Sequence, residues 1–172
     1  MRKKSFIEDD FSRFIVGHAL SDGEKVDVII DSLNECISRH GKPEVMMSDG
    51  GSAFYSWRGI SKLTRYLEDF GIDQHIARIP RINGKLESLN QKIEKELLNT
   101  QSFSSLKHLE NELAQWVGFY NFKRPHQGLN KLQVPADRFY PGADKWFKEN
   151  DTGTEKIIFE SMSMLFRELQ KK

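Results

Sequence analysis

Apolar residues near the start of the chain recur at the spacing of strands. Residues 4–9 and 13–20 predict two short strands, and the second run is rich in branched and aromatic side chains. The Asp-Asp-Phe-Ser segment between them predicts a tight antiparallel turn, since Asp and Ser side chains bond to nearby backbone groups. Asp9 and Asp10 are therefore either turn residues or the first acid of a metal site.

Four stripes of apolar residues farther along have helical spacing. They predict helices that begin near residues 26, 60, 84 and 106, and the runs 45–47 and 72–79 between them predict short strands, the first one buried. This order predicts an α/β fold with a mixed sheet and helices packed on it. The stripes are Val26, Ile29, Ile30, Leu33 and Ile37; Ile60, Leu63, Leu67 and Phe70; Leu86, Leu89, Ile93 and Leu97; and Leu106, Leu109, Leu113, Trp116, Val117 and Tyr120.

The end of the chain carries one more helical stripe behind a polar segment at 150–153. It consists of Ile158, Met162, Leu165 and Leu169. We expect residues 1–141 to form the main domain and residues 142–172 a C-terminal tail with an amphipathic helix.

Composition narrows the class of protein. The net charge of +1 among 172 residues gives no general preference for nucleic acid, so a DNA-binding surface would have to be local. Cys36 is the single cysteine, which excludes an internal disulfide and a multi-cysteine zinc site and fits a reducing cytoplasm. No apolar run is long enough to span a bilayer, so we expect a cytoplasmic protein without a membrane partner.

Two carboxylates lie where metal chemistry needs them. Asp49 follows a predicted strand, in a loop with two glycines, and Glu87 lies in the first turn of a predicted helix. Their hard oxygens suit Mg²⁺ or Mn²⁺, and two such ions can activate a nucleophile and stabilise the leaving oxygen of a phosphodiester. The alternative is that Asp49 is a turn residue and Glu87 a solvated one, and spacing alone does not decide.

A basic cluster follows the clearest amphipathic helix. Lys123, Arg124 and His126 surround Pro125 and could contact phosphates. The alternative is an ordinary helix end, because basic residues favour the negative end of the helix dipole and proline stops a helix.

Four sequence blocks, taken together, resemble a known family. They are DDFSRFIVGHAL (9–20), GKPEVMMSDGGSAF (41–54), PRINGKLESLNQKIEKEL (80–97) and YNFKRPHQGLNKLQVPADRFY (120–140). In this order they resemble the integrase-type catalytic core of DDE insertion-sequence transposases, which are related to retroviral integrases. The resemblance covers about residues 6–141.

The resemblance implies an RNase H-like fold, with a mixed sheet flanked by helices, in which three acids bind two Mg²⁺ ions. It makes Asp49 the second acid and Glu87 the third. The implied activity is transposition and DNA integration, in which water cleaves a transposon-end phosphodiester and the freed 3′-hydroxyl attacks target DNA.

The resemblance also implies partners. Transposon ends and target DNA would contact Lys85, Lys92, Lys123, Arg124 and His126. The protein would form a homo-oligomer, or a mixed oligomer with an intact transposase.

The first block places Asp9 and Asp10 at the turn between the family's second and third strands. The first catalytic acid lies on the family's central first strand, which this chain is expected to lack. We therefore expect an N-terminally incomplete core with a gapped or rearranged sheet, or marginal stability and oligomerisation. Such a core could be silent alone, and the alternative function is a non-catalytic DNA-binding or transposase-interacting fragment that modulates an intact relative.

Overall fold

The computed structural model describes residues 2–23, 26–49, 59–77, 84–129 and 133–140, and those up to Phe139 belong to one compact unit. The elements of this unit are β1 Arg2–Glu8, β2 Ile15–Asp22, α1 Val26–His40, β3 Val45–Asp49, α2 Lys62–Asp69, β4 Asp73–Ala77, α3 Gly84–Ile93, a π-helical turn Glu94–Leu98, α4 Leu106–Phe122 and α5 Pro135–Phe139. The predicted α/β order is confirmed, and α5 is an addition that no stripe predicted. The predicted tail helix lies outside the described residues.

The strands form two separate pairs within the described residues. β1 and β2 make an antiparallel hairpin in which Ile7 faces Gly17, and β3 and β4 run parallel. The mixed sheet is therefore gapped, as the sequence predicts. Among the same residues we find no helix with the length and apolar character needed to cross a bilayer.

Two hydrophobic clusters hold the helices on the strands. One joins α1, α2 and Ile72, the residue before β4, with Ile7 of β1 and Met46 of β3 packed against it. The other joins β2, α3, the π-helical turn and α4, with Phe6 packed against it. Phe6 and Ile7 pack against different clusters because successive side chains of a strand point to opposite faces of the sheet.

The prediction that β3 is a buried strand is wrong for one of its faces. Val45 is 46% exposed and Met47 37% exposed, whereas Ser48 is 4% exposed. The face that carries Met46 and Ser48 packs toward α1 and α2, while little covers the opposite face. Ile60 and Phe70, at the two ends of the second stripe, are also exposed, because α2 spans only the residues between them.

The side chain of Asn121 fastens α4 to the hairpin. The backbone N–H of Ile15 donates to Oδ1 of Asn121 (2.9 Å), and Nδ2 of Asn121 donates to the carbonyl oxygen of Ile15 (3.0 Å). Asn121 is 3% exposed and Ile15 also 3%. One buried amide thus pairs both backbone groups of the first residue of β2, as a neighbouring strand would.

Helix α1 approaches β2 most closely at Gly17. A Cβ atom added there would lie 2.3 Å from Sγ of Cys36 and 3.2 Å from Oγ of Ser32. Only a residue without a side chain fits this contact between strand and helix.

Candidate functional site

The β1–β2 turn uses Asp9 as a structural cap. Oδ2 of Asp9 accepts hydrogen bonds from the backbone N–H of Ser12 (2.7 Å) and from its hydroxyl (2.5 Å). The backbone N–H of Arg13 donates to the carbonyl oxygen of Asp9 (2.8 Å). These bonds confirm the prediction that Asp9 and Asp10 belong to a turn.

The same turn is attached to the beginning of α3. Nζ of Lys85 lies 2.7 Å from Oδ2 of Asp10, and Nη2 of Arg13 donates to the carbonyl oxygen of Lys85 (3.2 Å). Arg13 has φ +67°, a left-handed conformation uncommon outside glycine, and its side chain is held on both sides. Its other partner is Glu8, whose Oε1 lies 3.2 Å from Nη2.

Of the two predicted catalytic acids, Glu87 lies on the expected helix, whereas Asp49 belongs to the strand and not to the loop that follows it. Asp49 is the last residue of β3, in register with Ala77 of β4, and Glu87 is an exposed residue in the first turn of α3. The side chain of Asp49, the loop that follows it and Asn83 lie outside the described residues.

The side chains of these two acids carry oxygen atoms of the type that binds a divalent metal ion. Carboxylate oxygens are the ligands that Mg²⁺ prefers. Within the described ranges, however, no group of three or more His, Cys, Asp or Glu side chains is placed to hold a metal ion. The Asp49 side chain lies outside the described residues, so of the acids that the resemblance implies the structure describes the carboxylate of Glu87 only.

Three of the five predicted DNA-contacting residues lie against the protein's own groups. Lys92 is half-buried and donates to Oγ of Ser88 (3.0 Å), while Arg124 pairs with Oε1 of Glu96 (2.5 Å). Lys85 is held by Asp10 but remains half-exposed. Burial, with Arg124 and Arg13 nearby, lowers the pKa of Lys92. Lys92 is therefore placed to balance buried charge rather than to stand free in solvent.

Lys123 and His126 lie at and beyond the end of α4. Lys123 is the exposed C-cap residue. Burial and the cations of Lys92, Arg13 and Arg124 lower the pKa of His126 to about 4. Its ring is therefore neutral near pH 7, and Nδ1 accepts a hydrogen bond from the backbone N–H of Gly128 (3.2 Å).

Glu8 is a buried carboxylate beside this site. Its side chain is only 2% exposed, and burial raises its pKa to about 7 although Arg13 and Lys92 act in the opposite direction. Burial and the neighbouring Glu8 also raise the pKa of the Tyr120 hydroxyl. Glu8, Arg13 and Tyr120 therefore form a polar cluster inside the protein, between the hairpin and the helices.

We expect Glu8 to make the protein less stable as pH rises from about 4.5 to about 7. Its pKa is higher in the folded state than the ordinary 4.5, so in this window the unfolded chain loses the proton first. Replacing Glu8 by Gln should remove up to about 3 kcal/mol of this dependence. Urea unfolding at pH steps from 4.5 to 7.5 measures the difference between the two proteins.

The difference between Glu8→Gln and the unaltered protein isolates the contribution of Glu8 to the pH dependence of stability. His40 and His126, whose pKa values burial lowers to about 4, reduce stability as pH falls below about 6.5, and they do so in both proteins. Parallel profiles for Glu8→Gln and the unaltered protein would contradict the prediction.

Known proteins share the fold that these strands and helices form. Residues 74–133 match the integrase core domain family. The structure resembles the catalytic core domain of BIV integrase, with a TM-score of 0.57, 14% identity, and coverage of 85% of this chain and 97% of that one. It also resembles the HTLV-2 integrase catalytic core domain in complex with magnesium, with a TM-score of 0.51, 19% identity, and coverage of 78% and 80%. The structure therefore has the fold of an integrase catalytic core.

Relatives of this integrase-type core come from insertion elements. The chain is 28% identical over 128 residues to the 39.2 kDa protein of insertion element IS476 from Xanthomonas euvesicatoria, covering 73% of this chain and 36% of that protein. It is 29% identical over 126 residues to the 31.7 kDa protein of IS407 from Burkholderia multivorans, covering 73% and 45%. The match thus spans less than half the length of these relatives.

The structure adds residues of the integrase-type core that sequence reasoning missed. Glu8, Arg13 and Asn121 hold the turn, α3 and α4 together, and no role was predicted for them, whereas Ser12 was predicted as a turn residue. A glutamate directly after the apolar pair Phe6 and Ile7, followed five residues later by an arginine, is the one signal that could have indicated a buried ion pair.

Proposed function

We propose that this chain acts in DNA transposition and DNA integration, by metal-dependent phosphodiester cleavage and strand transfer. The observation that supports this function best is the placement of Asp49 at the end of β3 and Glu87 in the first turn of α3, within an integrase-type core. The insertion-element relatives support the same class of function.

The proposed reaction has two steps. The oxygen of a water molecule attacks the phosphorus at a transposon end, the bond from phosphorus to the 3′ oxygen breaks, and that oxygen leaves as a 3′-hydroxyl. The 3′-hydroxyl then attacks a phosphodiester of target DNA, which joins the two strands and releases a target hydroxyl. Neither step forms a covalent bond to the protein.

Asp49 and Glu87 would hold Mg²⁺ or Mn²⁺. A bound ion would activate the attacking hydroxyl and stabilise the leaving oxygen. Two protein carboxylates bind such an ion more weakly than three, because affinity depends on the number of charged ligands. Arg13 and Asp10 would position Glu87 indirectly, since both fix the residue two positions before it.

The proposed partners are transposon ends, target DNA and a second protein chain. Lys85, Lys123 and His126 would contact DNA phosphates. The uncovered face of β3, with Val45 and Met47, would favour a homo-oligomer or a mixed oligomer with an intact transposase. We place this activity in the cytoplasm, which suits the lone buried thiol of Cys36.

Asp49→Asn and Glu87→Gln are each expected to reduce Mg²⁺- or Mn²⁺-dependent DNA cleavage at least about 100-fold, because each removes a charged ligand. Cleavage of a labelled duplex that carries the element's end is the measurement. Binding of the same duplex should change little.

Asp69→Asn, at an exposed aspartate at the end of α2, is the matched control and should cleave normally. Asp10→Asn should lose much less cleavage than Asp49→Asn, since Asp10 acts on Glu87 only indirectly, through its pair with Lys85. If Asp10→Asn were as inactive as Asp49→Asn, Asp10 would be an acid of the active site and not a turn residue only. Full cleavage by Glu87→Gln would contradict the assignment of Glu87.

A second candidate function is a non-catalytic DNA-binding protein that modulates an intact relative. The observation in its favour is that Asp9 already caps the turn, with both Oδ2 hydrogen bonds made to Ser12. DNA binding without cleavage, retained in Asp49→Asn, together with inhibition of an intact transposase in mixtures, would favour this function over the first.

A further inference from the structure

A cavity of about 360 Å³ lies where the β1–β2 turn, the first turn of α3 and the segment after α4 meet. Three cationic side chains line it, those of Arg13, Lys85 and Arg138, together with one carboxylate, that of Asp10. With the Glu8 carboxylate that pairs with Arg13 counted as well, three positive charges meet two negative ones, and the excess of one positive charge favours a phosphate. The volume is near the lower end of small-ligand sites, about 300 to 1,000 Å³, and suits one nucleotide rather than a duplex.

Two buried donors at this cavity lack a partner. The Arg13 side chain is 9% exposed, and its Nη1 has no hydrogen-bond partner in the part of the chain that the structure describes. The same holds for Nε2 of His126, which carries the proton of the neutral ring because Nδ1 accepts from Gly128. Buried donors are usually paired, so an acceptor with several oxygens is the missing group that would satisfy them.

An exposed aromatic ring stands at the rim of the same cavity. Phe11, at the tip of the turn, is 67% exposed and lines the cavity. The guanidinium of Arg138 lies 4.7 Å from its ring centroid and covers one face. Proteins that bind single-stranded nucleic acid combine these two features, cations for the backbone and an aromatic face for a base.

We propose that this cavity binds one unpaired nucleotide of a DNA strand, with its phosphate against Arg13, Lys85 and Arg138 and its base stacked on Phe11. The proposal rests on the proposed function, since it takes DNA as the substrate. It deepens that function by assigning an unpaired nucleotide, and not only duplex DNA, to a defined site. Bases that leave the duplex are held in this way by other proteins that act on DNA.

Phe11→Leu tests the stacking. With the full 172-residue chain, fluorescence anisotropy compares a blunt duplex with the same duplex carrying a short single-stranded tail. We expect Phe11→Leu to weaken binding of the tailed duplex roughly 5- to 100-fold, the effect of losing one base–aromatic stack, and to leave blunt-duplex binding unchanged. Phe11→Trp should retain tail binding. Phe119→Leu, at an exposed phenylalanine of α4 that does not line the cavity, is the matched control.

Arg138→Gln tests the phosphate contact. Its binding of the tailed duplex should depend less on salt, with the slope of log affinity against log salt reduced by about one. A slope equal to that of the unaltered protein would contradict the assignment of Arg138.

Three other outcomes would overturn the proposal. If Phe11→Leu weakens binding of both duplexes equally, or of neither, the ring does not contact an unpaired base. DNA binding and the proposed function then stand. If inorganic phosphate displaces the tailed duplex as well as thymidine 5′-monophosphate does, the cavity is a simple anion site. If the unaltered chain binds neither duplex, the proposed function itself fails, and the nucleotide site fails with it.

Discussion

Replacing Asn121 by alanine should lower the free energy of unfolding by about 2 to 4 kcal/mol, because a buried backbone group left unpaired costs about 1 to 3 kcal/mol. The amide bonds to both the N–H and the carbonyl oxygen of Ile15, so the substitution leaves two such groups without a partner. Urea unfolding followed by tryptophan fluorescence measures the change.

Asn111→Ala is the matched control, since Asn111 is an exposed residue of the same helix and its loss should change stability by less than about 0.5 kcal/mol. Asn121→Asp gives a second check. It keeps one acceptor for the Ile15 N–H but sets a second carboxylate oxygen against the Ile15 carbonyl oxygen. It should therefore be at least as unstable as Asn121→Ala. Normal stability in Asn121→Asp would show that the bond from Nδ2 contributes nothing.

Gly17→Ala should destabilise the protein by about 1 to 3 kcal/mol, the usual cost of overpacking a close contact. The new methyl group would lie 2.3 Å from Sγ of Cys36, well inside van der Waals distance. The strand cannot simply retreat from α1, since Gly17 is paired in register with Ile7. Thermal and urea unfolding of the variant measure the loss.

Cys36→Ala separates this clash from other effects of the new methyl group. The double variant Gly17→Ala/Cys36→Ala should be more stable than the sum of the two single changes predicts, because the atom that clashes is gone. Gly118→Ala, in α4 where an added Cβ meets nothing within 4 Å, is the matched control and should stabilise by about 0.5 to 1 kcal/mol. Strictly additive changes would contradict the steric explanation.

Local spacing predicted most elements of the fold. The stripe that contains Leu89, Ile93 and Leu97 lies on α3 and the π-helical turn, and all three residues are buried. Periodicity succeeds for this stripe because a helix of 3.6 residues per turn must place such residues on one face. It could not predict the exposure of Val45 and Met47, which depends on how the strand pairs are covered in three dimensions.

The candidate site was predictable in part. Resemblance, rather than spacing, selected Asp49 and Glu87, and the structure places Glu87 in the predicted helix turn but Asp49 at the end of β3 instead of in the following loop. The contacts of Arg13 were not predictable, because its partners Glu8 and Lys85 meet it only when the turn folds against α3. The cavity beside it was missed for the same reason, since its walls come from three distant parts of the chain.

The bond between Ile15 and Asn121 also has a consequence for the order of synthesis. The two residues lie 106 positions apart in the chain. At translation rates of about 5 to 20 residues per second, a ribosome needs roughly 5 to 20 seconds to travel from one to the other. During that interval the N–H and the carbonyl oxygen of Ile15 lack their partner, because Asn121 has not yet been synthesised. The backbone groups of Ile15 are therefore open to chaperones or to pairing with other chains during this interval. Translational pausing before residue 121 should prolong that exposure.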